Sequence, residues 1–509
     1  MEYDLLVVGG GVNGAGIARD AAGRGLSVLL VEQNDLASAT SSASTKLVHG
    51  GLRYLEYYEF RLVREALEER ETLLAMAPHI IWPLRFVLPH AHATRPAWLV
   101  RLGLFLYDHL GGRKRLPGSR GLSLTGAPEG ASLKTQYRKA FVYSDCWVDD
   151  ARLVALNAID ASERGAVIET RTKLVAAHRV SDGWEARLRA QDGGERQVRA
   201  RAIVNAAGPW VSEVLSGGLN VTTGSGARLI KGSHIVVPRL FEGDQAYMLQ
   251  NPDRRIVFAI PYEDRFTLIG TTDVAWDAPP GPARIDAAEV DYLCDSINRY
   301  FDRQLTPADV VWSYAGVRPL FDDKADSASA VTRDYVLEVD AAEGHAPVLS
   351  VFGGKITTYR RLADHALEKL AEFFPQAGPS WTRGAVLPGG DLPDLDRTAL
   401  ARALRTEHPF LPEDLAFRLA RSYGTRARRI LTGAKSLSDL GEDFGAGLRA
   451  GEVDYLVAHE WARTAEDILY RRSKLGLHLP PGGAERLEAY LAGKTTTEAS
   501  RPAPLSAEA

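Results

Sequence analysis

The chain has 509 residues, 45% of them hydrophobic and 25% charged, with a formal net charge of −4. That length suits two or three domains with buried cores, and the charge gives no global reason to bind nucleic acid. Only two cysteines occur, Cys146 and Cys294, which excludes a disulfide framework and a thiolate-held iron–sulfur cluster.

The chain opens on an apolar strand, Tyr3–Val8, that runs into Gly9-Gly10-Gly11-Val12-Asn13-Gly14. A helix follows, then a second apolar strand over Leu26–Val31 with Glu32 at its end. This order predicts a dinucleotide clamp. Gly9 permits the tight turn, Gly11 admits a diphosphate, and Gly14 lets the helix lie close to the strand. The helix N-terminus presents N–H groups and partial positive charge to the phosphates, and Glu32 is placed to accept the hydroxyls of a ribose. No secretory signal or presequence is recognised ahead of this strand, so a bacterial-type cytoplasmic protein is expected.

The next stretch selects the dinucleotide. Ser38–Lys46 is a loop of small hydroxyl residues, and Leu47-Val48-His49-Gly50-Gly51-Leu52-Arg53-Tyr54 follows directly. Ser41, Ser42, Thr45 and Lys46 offer short donors beside a flavin and its diphosphate, and Gly50-Gly51 allows backbone to approach a flat ring. An NAD enzyme more often continues into another βα unit here, so FAD is the expected cofactor.

A helical pattern over 61–83 completes the first part of the FAD-binding domain, residues 1–83. Residues 84–148 read as an inserted first part of a substrate or cap domain. Within it Arg95-Pro96-Ala97-Trp98-Leu99-Val100-Arg101-Leu102-Gly103-Leu104-Phe105-Leu106-Tyr107, followed by Arg113-Lys114-Arg115, has two readings. One is a helix lying at a membrane surface; the other is a buried helix of the substrate domain. No stretch is long and apolar enough to span a bilayer. His90-Ala91-His92 has no cysteine or carboxylate at metal-ligand spacing, and no metal is expected.

A helix over Asp149–Gly165 returns the chain to the FAD-binding domain (149–224). Leu174–Val180, Trp184–Ala190 and Arg196–Val198 then predict an antiparallel meander. Ala202–Asn205 reads as a further buried strand ending in small residues, so Ala207 and Gly208 are candidates against the cofactor. Residues 225–335 carry strands of the second cap part, including Arg255–Pro261 and Arg265–Gly270. Val348–Phe352, Gly353-Gly354 and a helix from Thr357 form a second phosphate- or flavin-facing helix start within 336–380. A linker at Leu387-Pro388-Gly389-Gly390 introduces a helical domain, 381–494, with helices around Asp396–Glu407, Glu413–Tyr423, Arg426–Thr432 and Asp454–Leu475. Residues 495–509 have the composition of a disordered tail.

These motifs resemble the FAD-dependent glycerol-3-phosphate dehydrogenases of the aerobic, respiratory kind, within the D-amino-acid-oxidase-like flavoproteins. The likeness rests on residues 1–60 and on Asn205-Ala206-Ala207-Gly208-Pro209-Trp210, Lys231-Gly232-Ser233-His234, Gly270-Thr271-Thr272-Asp273, Ala315-Gly316-Val317-Arg318-Pro319-Leu320 and Gly353-Gly354-Lys355-Ile356-Thr357-Thr358-Tyr359-Arg360. It spans roughly residues 1–480. It implies an α/β fold (α+β overall): a Rossmann-like FAD-binding βαβ domain, an interwoven antiparallel-sheet substrate domain and a C-terminal helical domain. It further implies oxidation of sn-glycerol 3-phosphate to dihydroxyacetone phosphate, a membrane quinone as electron acceptor, and peripheral contact with the inner face of the cell membrane. Homodimerisation is left open.

A small phosphate dianion calls for converging cations. The resemblance assigns Arg318 to the substrate's anionic group; Arg53-Tyr54, Thr271, Arg333 and Lys355 are further substrate candidates. Lys355 has a second reading, contact with flavin N1 or O2. Arg318, Lys355, His49 and His234 are the candidate catalytic residues, and the proton acceptor stays open between the histidines and a relay to water. The nearest alternative is an oxidase of the same substrate that releases hydrogen peroxide. An amino-acid oxidase would need Arg318 but not Arg53 and Lys355, and a catalytically silent flavoprotein would not keep all these cations.

Overall fold

The opening strand β1 (Glu2–Val8) is buried along most of its length, as expected of a strand in the middle of a parallel sheet with both faces covered. The helix α1 (Val12–Gly23) and strand β2 (Val28–Glu32) complete the first βαβ unit, with β1 paired parallel to β2. The computed structural model describes residues 2–90, 96–221, 225–322, 334–341 and 345–499. Arg333, His92 and residues 500–509 lie outside them.

In chain order the first unit continues with β3 (Leu47–Val48), α2 (Phe60–Met76), β4 (Ile81–His90), α3 (Ala97–Leu110), β5 (Arg120–Ser123), β6 (Lys139–Val148) and α4 (Asp150–Glu163). Then come β7 (Val167–Thr170), β8 (Thr172–Val180), β9 (Gly183–Ala190) and β10 (Glu195–Asn205). The strands β11 (Ala227–Pro238), β12 (Ala246–Gln250), β13 (Ile256–Tyr262), β14 (Phe266–Gly270) and β15 (Val274–Ala275) precede α5 (Ala287–Asn298). The unit closes with β16 (Trp312–Phe321), β17 (Val336–Asp340), β18 (Val348–Phe352) and α6 (Tyr359–Lys369).

One sheet has the order β17-β18-β10-β1-β2-β7, with β8 and β9 attached to β10. The separate strands expected over 196–198 and 202–205 are one: β10 pairs antiparallel with β9 over Glu195–Ala200 and parallel with β1 over Arg199–Asn205. The second sheet runs β15-β11-β14-β13-β12-β4-β6-β3, with β16 on β11 and β5 on β6. Its packing with α5 makes a separate core around Ile235, Tyr247, Ile269, Leu293 and Phe301.

The chain divides into two units at Asp391/Leu392. The glycine-rich linker stays with the first, since Leu387 N–H donates to Met76 O at 2.9 Å and a Cβ on Gly390 would lie 2.4 Å from the same oxygen. The second unit contains α7 (Arg397–Glu407), α8 (Glu413–Tyr423), α9 (Ala427–Ile430), α10 (Ala450–Glu460) and α11 (Gly483–Ala499) around its own apolar core. Two expectations are corrected here. The helix expected over Asp454–Leu475 ends at Glu460, where Trp461 takes a left-handed φ of 56°. The stretch expected to be an unstructured tail from 495 is helical as far as Ala499.

Helix α3 keeps Leu104 and Tyr107 buried but exposes Trp98 (68%), Leu99, Leu102 and Phe105 (51%). The purely buried reading of this segment is therefore wrong. Among the described residues no helix is long and apolar enough to cross a membrane.

Candidate active site

The glycine turn after β1 is shaped by backbone contact. A Cβ on Gly14 would sit 1.9 Å from Gly9 O, and one on Gly9, whose φ is +113°, would sit 2.5 Å from Ala206 O. Gly11 differs: its Cβ would meet only Ser41 Oγ, at 3.1 Å, so this edge of the turn is open. Ser41 Oγ accepts the Val12 N–H at the start of α1 (3.0 Å). Glu32 accepts Gly10 N–H at 2.7 Å and Asn34 N–H at 2.8 Å through different oxygens. Burial pushes its carboxyl upward against those bonds. Each oxygen keeps a second lone pair for a ribose hydroxyl. A turn open at Gly11, a helix N-terminus and an acceptor at the second strand's end fit the adenosine diphosphate half of FAD.

A cavity of about 460 Å³ lies beyond this turn. The loop after β2 brings Ser41 and Thr45 to its wall, His49 follows β3, and the 3₁₀ turn Leu52–Tyr57 brings Arg53 and Tyr54. The second sheet supplies His234 and Thr271 from β11 and the end of β14, and Arg318 from β16. Gly354, Lys355 and Thr357 arrive after β18. Strand register explains part of this assembly. Tyr314, His234, Gly270 and Phe258 lie side by side across four strands, and the period of two brings Arg318 to the same face as Tyr314. A Cβ on Gly270 would lie 2.1 Å from His234 Cδ2, and one on Gly232 would lie 2.6 Å from Arg318 Nη2. The two glycines leave the room these side chains occupy.

Arg318 donates from Nη2 to Thr272 O (2.9 Å) and to Asp273 Oδ1 (2.5 Å). A guanidinium has five N–H donors, so donors remain for a ligand. Lys355 Nζ is buried, donates to no acceptor among the described residues, and sits 4.0 Å from the centre of the Tyr54 ring. Arg53 donates to Tyr57 Oη at 3.3 Å. His234 shares a 3.0 Å hydrogen bond between Nε2 and Thr45 Oγ1 and stacks on Tyr314. Its Nδ1 is buried without a described partner. Burial, then the Lys46 and Arg318 cations, hold the imidazole well below its usual value, so the ring is neutral at neutral pH.

Several predicted cofactor residues have other positions. Lys46 does not line the cavity: its Nζ meets both Asp150 oxygens, at 3.0 and 2.9 Å, and Ser42 O at 3.1 Å. It anchors the hydroxyl loop, helped by Ser44 Oγ donating to Asp150 at 2.8 Å. Ser42 Oγ bonds back to Ala39 O at 3.4 Å. Ala207 and Gly208 follow the end of β10 beside Gly9, and Gly353 O accepts from Asn13 Nδ2 at 3.2 Å. Sequence reasoning missed Asn13 and Asp273, although both stand inside the quoted motifs. It also missed the wall formed by Tyr143, Met248 and Phe258, which only the strand pairing brings to the cavity.

Comparison with known proteins finds related flavoproteins. Residues 4–360 match the family model of FAD dependent oxidoreductases, and residues 380–491 match that of the C-terminal domain of alpha-glycerophosphate oxidase. A glycerol-3-phosphate dehydrogenase of Pseudomonas aeruginosa is 58% identical over 489 residues, covering 96% of this chain and 95% of its own. A D-erythritol 1-phosphate dehydrogenase of Brucella abortus is 57% identical over 477 residues, covering 94% and 95%. The solved glycerol-3-phosphate dehydrogenase of Bacillus halodurans complexed with FAD superposes with a TM-score of 0.74 at 27% identity, over 98% of this chain and 94% of that one.

Proposed function

Because the chain belongs to the FAD-dependent glycerol-3-phosphate dehydrogenase family, we propose that it oxidises sn-glycerol 3-phosphate to dihydroxyacetone phosphate and passes the electrons to a membrane quinone. The observation that carries the substrate is the meeting of Arg53, Arg318 and Lys355 at one cavity, with Lys355 Nζ buried and without a hydrogen-bond acceptor among the described residues. A buried ammonium with no acceptor is costly, and a phosphate dianion relieves that cost.

Bound FAD supplies a hydride acceptor. Arg318 and Lys355 grip the phosphate, Thr271 adds a hydroxyl, and Arg53 closes the collar from the 52–57 turn. Lys355 stands equally well for the flavin contact expected from its position after Gly354. His234 is the better placed of the two histidine candidates to accept the C2 hydroxyl proton, since its ring is neutral and Nδ1 is unpaired. Its cationic neighbours make protonation costly, so the proton passes onward rather than resting there.

The acceptor assignment rests on α3. It exposes Trp98, Leu99, Leu102 and Phe105 and packs against the 52–57 turn and α2, the stretch in which Tyr57, Tyr58 and Phe60 are also exposed. Arg101 on the same helix and Arg113, Lys114 and Arg115 just after it are exposed too. Exposed aromatics with exposed cations on the same segment suit an anionic bilayer surface, where a quinone resides.

Two other readings have support. The match of residues 380–491 to the oxidase C-terminal domain favours oxygen as acceptor, and the Brucella relative favours a four-carbon polyol phosphate. One assay on the yellow protein separates them. Glycerol 3-phosphate and D-erythritol 1-phosphate are each supplied with a soluble quinone analogue, or with dissolved oxygen and peroxide detection. Fast quinone reduction by glycerol 3-phosphate with little peroxide is expected. Rapid peroxide release without quinone makes the protein an oxidase, and flavin bleaching by the erythritol ester alone moves the substrate.

A further inference from the structure

Helix α3 has an inner face with a specific polar contact. Tyr107, 2% exposed, accepts Gly50 N–H on its hydroxyl at 2.8 Å and donates to the Asp145 carboxylate, 2.7 and 2.9 Å from its two oxygens. Asp145 in turn accepts from Arg70 Nη1 at 2.7 Å, and the same nitrogen donates to Ser144 O at 2.8 Å. A continuous buried chain thus runs from a guanidinium, through a carboxylate and a phenol, to one backbone amide.

That amide belongs to the segment that carries the site. Gly50 follows His49, whose N–H donates to Thr357 Oγ1 at 3.2 Å. It precedes Gly51, with φ +72°, and the turn Leu52–Tyr57 that bears Arg53 and Tyr54. Residues 49 and 50 therefore hang between a hydroxyl on α3 and a hydroxyl beside Lys355. There is little slack, since a Cβ on Gly50 would lie 2.4 Å from Leu67 Cδ2 and 2.8 Å from Tyr107 Cε2. Gly50 N–H also faces Asp145 Oδ1 at 3.4 Å. Without the phenol between them, the buried Gly50 amide loses its near acceptor and is left facing the Asp145 carboxylate, which Arg70 still holds, so the loop is drawn inward and takes the 52–57 turn with it.

We propose that Tyr107 is a positioning residue: its hydroxyl sets the distance between Asp145 and the Gly50 amide, and so holds Arg53 and Tyr54 at the substrate. The proposal rests on the reading of Arg53 and Tyr54 as substrate contacts. It also makes α3 a single element with an apolar outer face and an inner face fixed to the substrate-binding turn.

The test is Tyr107→Phe in the FAD-loaded enzyme, assayed with glycerol 3-phosphate and a soluble quinone analogue. The expected result is a KM raised about tenfold, with kcat within about twofold of the parent, because ground-state and transition-state binding are lost together. Leu104→Ala is the control: it empties a fully buried position of the same helix without touching the hydroxyl chain, and should lower the melting temperature while leaving KM unchanged. A Tyr107→Phe enzyme with unchanged KM overturns the proposal, as does an equal rise of KM in Leu104→Ala. If the parent is not reduced by glycerol 3-phosphate, the substrate reading fails. The same comparison is then made with inorganic phosphate, titrated against the flavin absorbance, and equal affinity in parent and Tyr107→Phe overturns the positioning role. If Tyr107→Phe does not accumulate, amide exchange on the parent decides. Peptides covering 47–57 and 97–110 should gain protection together on adding glycerol 3-phosphate or phosphate, and protection of 47–57 alone overturns the coupling.

Discussion

Adding one methyl group at Gly14 tests whether the turn holds FAD by exact backbone packing. The new Cβ of Gly14→Ala would lie 1.9 Å from Gly9 O, 3.1 Å from Gly9 C and 3.4 Å from Ala206 Cβ. Reaching an ordinary carbon–oxygen contact demands a shift of about 1.5 Å. Gly9 cannot supply it: its N–H is tied to Val31 O at 2.9 Å, and its own Cβ direction is blocked by Ala206 O at 2.5 Å. Helix α1 must lift instead, and a Cβ on its Gly16 would already meet Tyr359 Cδ2 at 2.8 Å, so α6 resists. Overpacking of this kind costs about 1–3 kcal/mol of stability. The displaced helix N-terminus should also weaken FAD at least about tenfold, or ~1.4 kcal/mol. The assay is the ratio of flavin to protein absorbance after purification, followed by FAD titration of apoprotein and a thermal melt. Gly103→Ala is the comparison, since its Cβ meets nothing within 4 Å and a helical alanine is neutral or mildly stabilising. Stoichiometric FAD and a parental dissociation constant in Gly14→Ala would refute the reasoning.

The remaining predictions concern the buried imidazole and the exposed helix face. His234 is held below its usual value by burial and by Lys46 and Arg318. The unfolded chain therefore binds a proton below about pH 6.5 that the native state refuses. Native stability should fall as pH drops through that window, by up to ~1.4 kcal/mol per pH unit from this group, and be independent of it above. Urea unfolding of His234→Gln at pH 5 and pH 8 should show a smaller difference than the parent; an identical difference means that the imidazole is not buried neutral. Replacing both Trp98 and Phe105 by Glu should abolish co-sedimentation with vesicles containing anionic lipid, with melting nearly unchanged because both side chains are exposed. Undiminished vesicle binding would remove α3 from the membrane contact.

The cofactor cradle was legible because its signal is local. β1, the glycine turn, α1, β2 and Glu32 occupy one short stretch whose periodicity and turn chemistry agree. The cations of the cavity were legible individually, by their setting among glycines and small residues. What sequence could not supply was pairing across the chain. Lys46 sits in a hydroxyl loop like a phosphate ligand, yet its partner Asp150 lies 104 residues away. Asp273 becomes the partner of Arg318 only because β15 and β16 both pair with β11. The apolar pattern of α3 fitted a core helix and a surface helix equally, and only its outward face decides between them. In the second unit, apolar spacing continues past Trp461, and the break there is signalled only by the capping pair Thr464 and Asp467, which starts the next helical turn.

The interleaving of the first sheet bears on how the protein is made. Glu2 pairs with Arg199, and Ile203 pairs with Val348. At ordinary rates of synthesis, β1 waits roughly 10–40 s for the strand that will lie beside it. The cradle gains its last neighbour only when β18 has emerged. An apolar strand kept so long with one edge unpaired is a ready target for chaperones and proteases, and for premature pairing with other chains. No amino-terminal fragment ending before β18 can form a complete flavin cradle. Supply of the vitamin-derived cofactor therefore influences yield at the end of translation, when nearly all of the first unit is already outside the ribosome.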